Sequence, residues 1–271
     1  MVRELRVLLY ETPGDPFMNL AFEEALARAR GAGLTPDTLR IWRNARAVVI
    51  GYFQRAEEEV DLAEAERLKV SVVRRFTGGG AVYHDLGNVN YALAVSLPSS
   101  DPEGYAYGYL LRGTLRALEK LGVRASVENV NDVVAAGRKV SGTAASFRWN
   151  CCFLHGTLLV DADLDALSRL LKPAVEKLSS RGVSDVKRRV VNLSELLGVK
   201  PSYRRIVSAL VEGFAELLGA EAYFDLPLRE ELEVAELLYE RKYRRVEWNL
   251  RRAPHSAFAG LEEEIRGVLR G

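Results

Sequence analysis

Three consecutive glycines, Gly78, Gly79 and Gly80, constrain the fold more than any other feature of this 271-residue chain. They lie in residues 74–88, RRFTGGGAVYHDLGN, between a pair of arginines and a His-Asp pair. Each glycine adds backbone freedom that folding must remove, so such a run is disfavoured inside a regular core element. Apolar runs flank the segment, which is therefore expected to form a loop between strands. Such a loop suits a sharp turn or the close approach of a phosphate or nucleotide.

The spacing of these glycines differs from that of the common phosphate-binding loops. A dinucleotide fingerprint needs spaced glycines that open a helix, and the nucleoside triphosphate loop closes with Gly-Lys-Ser/Thr. Neither pattern is present here, so a tight glycine hairpin without a ligand stays open as an alternative.

A second segment, residues 131–142, places a strand, a glycine turn and a basic pair before Ser-Gly (NDVVAAGRKVSG). Arginine binds phosphate as a planar fork and lysine as a mobile point charge. Arg75 and Lys139, in separate glycine-flanked segments, therefore suit one polyanionic ligand. Taken alone, Arg138 and Lys139 fit a solvated hairpin tip equally well.

Bulk composition fits a globular protein and excludes several other classes. With 48% hydrophobic residues, the chain is long enough for one sizeable core. The formal net charge is +1, so no global field draws the chain to nucleic acid or membrane. No apolar run approaches the length that spans a bilayer, and residues 1–4 lack the apolar core of a secretion signal. We expect a cytoplasmic protein with no nucleic-acid or membrane partner.

Hydrophobic periodicity predicts an α+β fold with mixed, mostly antiparallel β-sheets flanked by helices. Asp15 as a cap and Pro16 at the first position predict a helix over residues 16–30. Strands at hairpin spacing favour antiparallel pairs over repeating βαβ units. Strands are predicted at residues 39–44, 47–51, 70–74, 89–96, 124–127, 132–136, 139–147 and 153–160. Further helices are predicted at residues 61–68, 105–121, 164–171, 202–218 and 228–243.

Together these segments resemble the catalytic domain of the lipoate-protein ligase A family, within the wider group of biotin and lipoate ligases. The resemblance covers about residues 5–250 and rests on several motifs in the right order. The further motifs are LRIWRN (39–44), VVIGYFQ (48–54), LHGTLL (154–159), SRGV (180–183) with VVNL (190–193), and KY (242–243) followed by EWN (247–249).

The resemblance implies an ATP-dependent reaction, in which lipoate becomes lipoyl-adenylate and the lipoyl group then passes to a lysine of an acceptor domain. It implies that Lys139 is the catalytic residue, between the lipoyl carboxylate and the α-phosphate. The implied contacts to ATP and lipoyl-adenylate are Arg75, Thr77, Gly80, Ala81, Val82, Tyr83, Asn131 and Lys139. The implied lipoate pocket contains Lys139, His84 and His155, and Asp132 is a candidate Mg²⁺ ligand.

The histidines leave alternatives open. Imidazole titrates near neutral pH, and the acceptor lysine must lose a proton before it attacks, so an acid or base role is conceivable. His84 fits equally well as a hydrogen-bonded turn residue beside Asp85. His155 is expected to hydrogen-bond in the pocket wall, and His255 is expected to be structural.

The resemblance departs from the long form of the family at the carboxyl end. The catalytic domain is predicted at residues 1–250, with a short tail at residues 251–271 where longer members continue into an accessory domain. In split members a separate small protein supplies that domain, so a small accessory subunit is an expected partner. The expected acceptors are lipoyl domains of 2-oxoacid dehydrogenase E2 proteins and the glycine-cleavage H protein.

Other activities stay open as alternatives. Related octanoyl transferases use a cysteine nucleophile before the Gly-Arg-Lys segment, whereas residues 127–134 contain none. A transferase with an acyl thioester on Cys151 or Cys152 is one alternative, and a non-catalytic module that binds lipoate or a nucleotide is another. A biotin-type ligase is disfavoured, because its Gly-Arg-Gly-Arg run is missing. The sequence does not distinguish lipoate from octanoate.

Two basic runs are expected, by default, to lie at solvated edges of the protein. The run at residues 186–190 is also a candidate for lining the approach of the acceptor protein. The run at residues 241–245 is expected to form the polar side of a helix end.

Overall fold

The computed structural model describes residues 3–172, 189–258 and 260–270, in which strands and helices alternate irregularly. The strands are β1 (Arg3–Leu8), β2 (Thr38–Trp42), β3 (Arg46–Ile50), β4 (Ser71–Arg74), β5 (Val82–Asp85), β6 (Asn88–Ser96), β7 (Ser126–Glu128), β8 (Asp132–Ala135), β9 (Arg138–Ser146), β10 (Cys151–Leu159) and β11 (Ala220–Asp225). The α-helices are α1 (Pro16–Gly31), α2 (Ala56–Glu59), α3 (Leu62–Arg67), α4 (Arg112–Lys120), α5 (Leu164–Leu170), α6 (Leu193–Leu197), α7 (Tyr203–Leu218), α8 (Arg229–Leu238), α9 (Val246–Asn249) and α10 (Leu261–Arg270). π-Helical segments run over Gly104–Leu110 and Tyr239–Tyr243, and a 3₁₀ turn runs over His255–Phe258.

The strands form two mixed sheets. The larger has the order β11-β1-β2-β6-β10-β9-β8-β7, and the smaller has the order β4-β3-β5. Strand β1 pairs in parallel with β11 and β2, and β3 pairs in parallel with β4. All the other neighbouring pairs of these sheets are antiparallel. The predicted α+β fold with mostly antiparallel sheets is therefore confirmed.

Strand β6 shows how alternating side chains build a core on each face of the larger sheet. Tyr91 and its odd-numbered neighbours pack in the core that contains α4 and α7. Ala92 and Ala94 face the opposite core, where their small side chains leave room for α1. Helices α4 and α7 approach each other closely at Gly113, where a Cβ would lie 2.3 Å from the ring of Phe214.

Helix α1 begins where the sequence predicts. The Asp15 carboxylate accepts hydrogen bonds from the backbone N–H groups of Phe17 and Met18, both at 3.1 Å, and Pro16 takes the first position. The helix is buried along most of its length and carries Glu23 and Glu24 into the interior. This buried helix forms one wall of the functional site.

The sequence prediction misses strands β1, β5 and β11. Strands β1 and β11 are parallel partners from opposite ends of the chain, so no local pattern marks their pairing. Strand β5, with the sequence VYHD, is polar enough to resemble part of a loop, but it pairs with β3. The helices predicted over residues 105–121 and 228–243 each contain a π-helical segment at one end.

Residues 251–271, predicted as a short tail, contain helix α10. This helix packs against α8 through the buried side chains of Leu261 and Ile265. Glu262 accepts a hydrogen bond from Arg28 of α1 at 2.7 Å. The tail is thus attached to the core around α1, and the predicted domain boundary at residue 250 stays a prediction.

Some predicted features fall outside the described residues. These are the motif at residues 180–183 and most of the basic run at residues 186–190. Within the described ranges, no helix combines the length and apolar character needed to cross a membrane.

Candidate active site

A pocket opens between the two sheets and against α1. Its walls come from the glycine loop and β5 on one side, and from β2, β6, β10 and β9 on the other. It brings together eight of the residues predicted from the sequence. These are Arg75, Gly80, Ala81, Val82, His84, Asn131, Lys139 and His155.

Arg75 organises the glycine loop from within. Its guanidinium donates to the carbonyl oxygens of Gly78 (2.6 Å), Gly80 (2.8 Å) and Val49 (3.2 Å). Gly79 has a φ of +86°, and a Cβ there would lie 2.9 Å from Nη2 of Arg75. Burial lowers the pKa of Arg75 to about 10, which leaves the group protonated at neutral pH. Arg75 is therefore a clamp on the loop, and direct phosphate binding by this residue stays a prediction.

Lys139 stands at the mouth of the pocket on β9. Its Nζ lies 2.5 Å from Oδ1 of Asp132 on the neighbouring strand β8. The side chain crosses over Gly142, where a Cβ would lie 2.7 Å from both Cε and Nζ. The Lys139 side chain is 35% exposed, so its ammonium reaches both the pocket and the solvent.

Asn131 holds the start of β8 against β9. Its Nδ2 donates to the carbonyl oxygen of Thr143 at 2.8 Å, and its own carbonyl oxygen accepts from the Thr143 backbone N–H at 3.0 Å. Just before it, Asn129 and Val130 have φ values of +48° and +71°. Positive φ is a rare conformation for a β-branched residue such as valine, so this loop is strained next to the pocket.

A chain of hydrogen bonds crosses from the glycine loop to α1. Oγ1 of Thr77 lies 2.7 Å from Nε2 of His155, and Nδ1 of His155 lies 2.7 Å from Oε2 of Glu23. The other Glu23 oxygen accepts from Nε1 of Trp42 at 3.0 Å. Both imidazole nitrogens of His155 are engaged, which fits the expected wall residue better than an acid or base role.

His84 is buried in the wall of the pocket that the glycine loop and β5 form. Burial, followed by the charge of Arg75, lowers the pKa of His84 to about 3, so the ring is neutral. Its Nδ1 lies 3.2 Å from Nδ2 of Asn44, and its ring stands edge-on to Trp42 at a centroid distance of 5.9 Å. His84 belongs to strand β5 and faces the pocket, in contrast to the alternative of a turn residue.

Three predicted residues lie next to the pocket lining. Tyr83 alternates with the pocket-facing Val82 and His84, so its side chain packs on the other side of β5, in the cluster with α3 and α5. Thr77 contacts the site through Arg75 and His155, and Asp132 contacts it through its ion pair. Backbone contacts from Tyr83 to a nucleotide stay a prediction.

Cys151 and Cys152 are buried on opposite faces of β10, and neither lines the pocket. Burial raises the pKa of each thiol to about 12. Both thiols are therefore protonated at neutral pH and are poor nucleophiles. This arrangement disfavours a thioester mechanism.

The KY and EWN motifs lie outside the pocket lining and hold β4, the strand that leads into the glycine loop. Nε1 of Trp248 donates to the carbonyl oxygen of Arg74 at 2.8 Å, and Oδ1 of Asn249 accepts from the Arg74 backbone N–H at 2.9 Å. Lys242 is buried, with Nζ 2.6 Å from Oε2 of Glu24 and 4.0 Å from the Trp248 ring centroid. The expectation that residues 241–245 form an exposed polar edge is therefore wrong for Lys242, because Glu24 supplies a buried partner.

Sequence reasoning missed several residues of the pocket, among them Glu23, Trp42 and Asn90. The signal for Glu23 was available, because two glutamates interrupt the otherwise apolar run of α1. Trp42 lies within the LRIWRN motif, yet nothing in that motif shows which face of β2 it occupies. Asn90 has no distinguishing local pattern.

The fold and this pocket agree with the catalytic domain of a family of protein ligases. The family described as the lipoyl protein ligase A/B catalytic domain matches residues 15–215, a span that includes α1, the glycine loop and the β8–β9 hairpin. The chain belongs to this family.

Individual relatives match almost the whole chain. Lipoate-protein ligase A subunit 1 of Thermoplasma acidophilum is 36% identical over 257 residues, 91% of this chain and 97% of the relative. A structure of a bi-partite lipoate protein ligase and its E2 lipoyl domain from the same organism superposes with a TM-score of 0.85, at 36% identity over 93% of this chain and 98% of that chain.

Two further structures contain ligands. A lipoate protein ligase of T. acidophilum with bound lipoic acid has a TM-score of 0.81 and 35% identity, over 91% of this chain and 98% of that chain. A lipoate-protein ligase A bound with ATP has a TM-score of 0.82 and 35% identity, with the same coverage.

Proposed function

We propose that this chain is an ATP-dependent lipoate-protein ligase, which activates lipoate as lipoyl-adenylate and transfers the lipoyl group to a lysine of a lipoyl domain. The observation that carries the proposal is the position of Lys139, whose ammonium shares one pocket with the glycine loop. The relatives with bound lipoic acid and with bound ATP support both substrates.

Both steps concentrate negative charge at one point. In the first step a carboxylate oxygen of lipoate attacks the α-phosphorus of ATP, the bond to the bridging oxygen breaks, and pyrophosphate leaves. In the second step the neutral amine of the acceptor lysine attacks the acyl carbon, AMP leaves with the bonding electrons, and the amine loses a proton. A fixed ammonium at Lys139 can stabilise the charge in both steps without a covalent enzyme intermediate.

The remaining predicted residues take places around that lysine in this proposal. The glycine loop, held by Arg75 and Thr77, presents the backbone of residues 80–83 to adenine and ribose. Asn131, next to Lys139, contacts the adenylate. His84 and His155 lie on the side of the acyl group.

Mg²⁺ is a proposed cofactor, and one carboxylate is its candidate ligand. Among the described residues, no group of three or more His, Cys, Asp or Glu side chains is arranged to hold a metal ion. Mg²⁺ usually binds one or two carboxylates together with substrate phosphates, and Asp132 at the pocket mouth suits that pattern. When bound, the ion would neutralise phosphate charge as pyrophosphate leaves.

Protein partners follow from the relatives. One relative is named a subunit and another is described as bi-partite, together with an E2 lipoyl domain. We extend this to the chain, with a separate small accessory subunit and with E2 lipoyl domains or the glycine-cleavage H protein as acceptors. The cytoplasmic location expected from the sequence stays part of this proposal.

The test combines the chain with lipoate, ATP, Mg²⁺ and a lipoyl domain, and reads acceptor mass and pyrophosphate release. A parallel reaction supplies preformed lipoyl-adenylate in place of lipoate and ATP. Modification from ATP establishes a self-sufficient ligase, and modification from the adenylate alone shows that activation needs the accessory subunit. No modification in either reaction contradicts the proposal and favours a non-catalytic binding module.

A further inference from the structure

Asn90 is a buried amide in the pocket wall that lacks a protein partner. Neither Nδ2 nor Oδ1 has a hydrogen-bond partner among the described residues, and the residue is only 2% exposed. Unpaired buried amides are costly, and few are found in native proteins. Because Asn90 lines the pocket, a ligand is the most direct source of its missing partner.

The register of the larger sheet places Asn90 at a defined distance from Lys139. Asn90 lies between Trp42 on β2 and Thr157 on β10, and Thr157 lies next to Gly142 on β9. Lys139 ends over Gly142. Because neighbouring strands are about 4.8 Å apart, Asn90 lies about 10 Å across the sheet from the end of Lys139.

His84 supplies a second donor without a partner. Oδ1 of Asn19 accepts from the Thr12 backbone N–H at 3.0 Å and from Arg40 at 2.7 Å, so Asn19 donates its Nδ2 to Oδ1 of Asn44 at 2.8 Å. Nδ2 of Asn44 must then donate to Nδ1 of His84. With Nδ1 as acceptor, the neutral ring carries its hydrogen on Nε2, which has no partner among the described residues.

We propose that Asn90 and His84 form a polar pair that recognises the ring end of the acyl group, so that the pocket favours lipoate over octanoate. The inference rests on the proposed function and names the acyl class of that site. With the carboxyl end at Lys139, the far end of a medium-length acyl group reaches the region of Asn90. Lipoate presents two dithiolane sulfurs there, which can accept weak hydrogen bonds from Nδ2 of Asn90 and Nε2 of His84, whereas octanoate presents only carbon and leaves both donors unpaired.

The inference is tested by calorimetric binding of lipoate and of octanoate to the purified chain and to Asn90→Leu, which keeps a similar volume without polar atoms. We expect the unmodified chain to bind lipoate about tenfold more tightly than octanoate, the effect of one hydrogen bond. In Asn90→Leu the ratio should fall severalfold, mainly because octanoate binds more tightly, while His84 retains the remaining preference for lipoate.

Thr35→Val is the matched control. It removes a buried hydroxyl that also lacks a partner among the described residues but lies away from the pocket lining, so the ratio should not change. If thermal melting shows that Asn90→Leu does not fold, Asn90→Ala removes the same amide with less bulk and gives the same readout.

An equal ratio in the unmodified chain and the Asn90 variant, with both acids bound, overturns the inference and leaves the proposed ligase activity intact. If neither acid binds the unmodified chain, the acyl pocket itself is refuted, and the proposed function fails together with the inference. The two failures are therefore distinguishable.

Discussion

Oδ1 of Asp132 lies 2.5 Å from Nζ of Lys139, so the two strands of the β8–β9 hairpin are joined by an ion pair at the mouth of the pocket. Both side chains are partly exposed, and an ion pair of this kind adds little to stability. Its main consequence is positional. The carboxylate holds the ammonium where the acyl phosphate is proposed to lie.

The Asp132→Asn variant keeps the shape of the side chain and removes its charge. If Asp132 binds Mg²⁺, pyrophosphate release from ATP should fall by about 10- to 100-fold, because neutralisation of the leaving group is lost. Transfer from preformed lipoyl-adenylate should change much less, because no pyrophosphate leaves in that step. An equal loss in both assays would instead assign Asp132 to the placement of Lys139 alone.

Gly142→Ala should displace Lys139 without unfolding the protein. The new Cβ would meet Cε and Nζ of Lys139 at 2.7 Å, and the end of a flexible side chain can move away at low cost. A displaced catalytic group lowers the rate of transfer from lipoyl-adenylate, here by about 10- to 100-fold. Gly108→Ala is the control, since a Cβ there meets nothing within 4 Å. Wild-type transfer by Gly142→Ala would show that the position of Lys139 is not critical.

The two cysteines should be dispensable. Because burial raises the pKa of both thiols to about 12, the folded chain should resist alkylation by iodoacetamide at pH 8, and the chain in denaturant should gain two labels. The variant Cys151→Ala/Cys152→Ala should transfer lipoyl groups within about twofold of the wild-type rate, since neither thiol lines the pocket. An acyl thioester on either cysteine, seen by mass spectrometry, would contradict this.

Acid should unfold the chain partly through Glu24. Burial opposes ionisation of this carboxyl, but Lys242 and Arg28 outweigh burial and hold its pKa at about 2, against an ordinary value of 4.5. The unfolded carboxyl binds a proton first as the pH falls, so the free energy of unfolding drops as the pH falls from 4.5 to 2, by on the order of 3 kcal/mol. Denaturant melts at a series of pH values measure this slope.

The variant Glu24→Gln/Lys242→Met provides the control for acid unfolding, because it removes the carboxyl together with its buried lysine partner. Its free energy of unfolding should depend less on pH over the same range. Glu24→Gln alone should lose about 3–5 kcal/mol, since it leaves Lys242 buried without its carboxylate. An unchanged pH slope in the double variant would exclude Glu24 as the source.

Local signals in the sequence account for much of the fold and for part of the site. The Asp15-Pro16 cap, the glycine loop and the β8–β9 hairpin are each defined by residues close in sequence. For the same reason Arg75 and Lys139 are candidate site residues from the sequence itself, whereas Asp132 is a candidate only through the family resemblance. The structure adds that Arg75 already donates to the loop carbonyls, a state that no sequence motif records.

Non-local contacts explain what the sequence does not predict. Strands β1 and β11 become neighbours only in the folded chain, and Lys242 looks like a surface residue until α1 brings Glu24 beside it. Asn90 becomes noticeable only when its amide proves to be buried without a partner. In each case the feature depends on contact with a segment that is distant in sequence, and local periodicity carries no information about such contacts.

The most direct test of the proposed function is transfer of the lipoyl group from preformed lipoyl-adenylate to a lipoyl domain by the wild-type chain and by Lys139→Ala. This assay needs neither ATP nor an accessory subunit, so it isolates the chemistry at Lys139. We predict that the wild-type chain modifies the acceptor lysine and that Lys139→Ala is slower by about 10²- to 10³-fold at an unchanged melting temperature. Transfer by Lys139→Ala at the wild-type rate would contradict the assignment of this pocket as the active site.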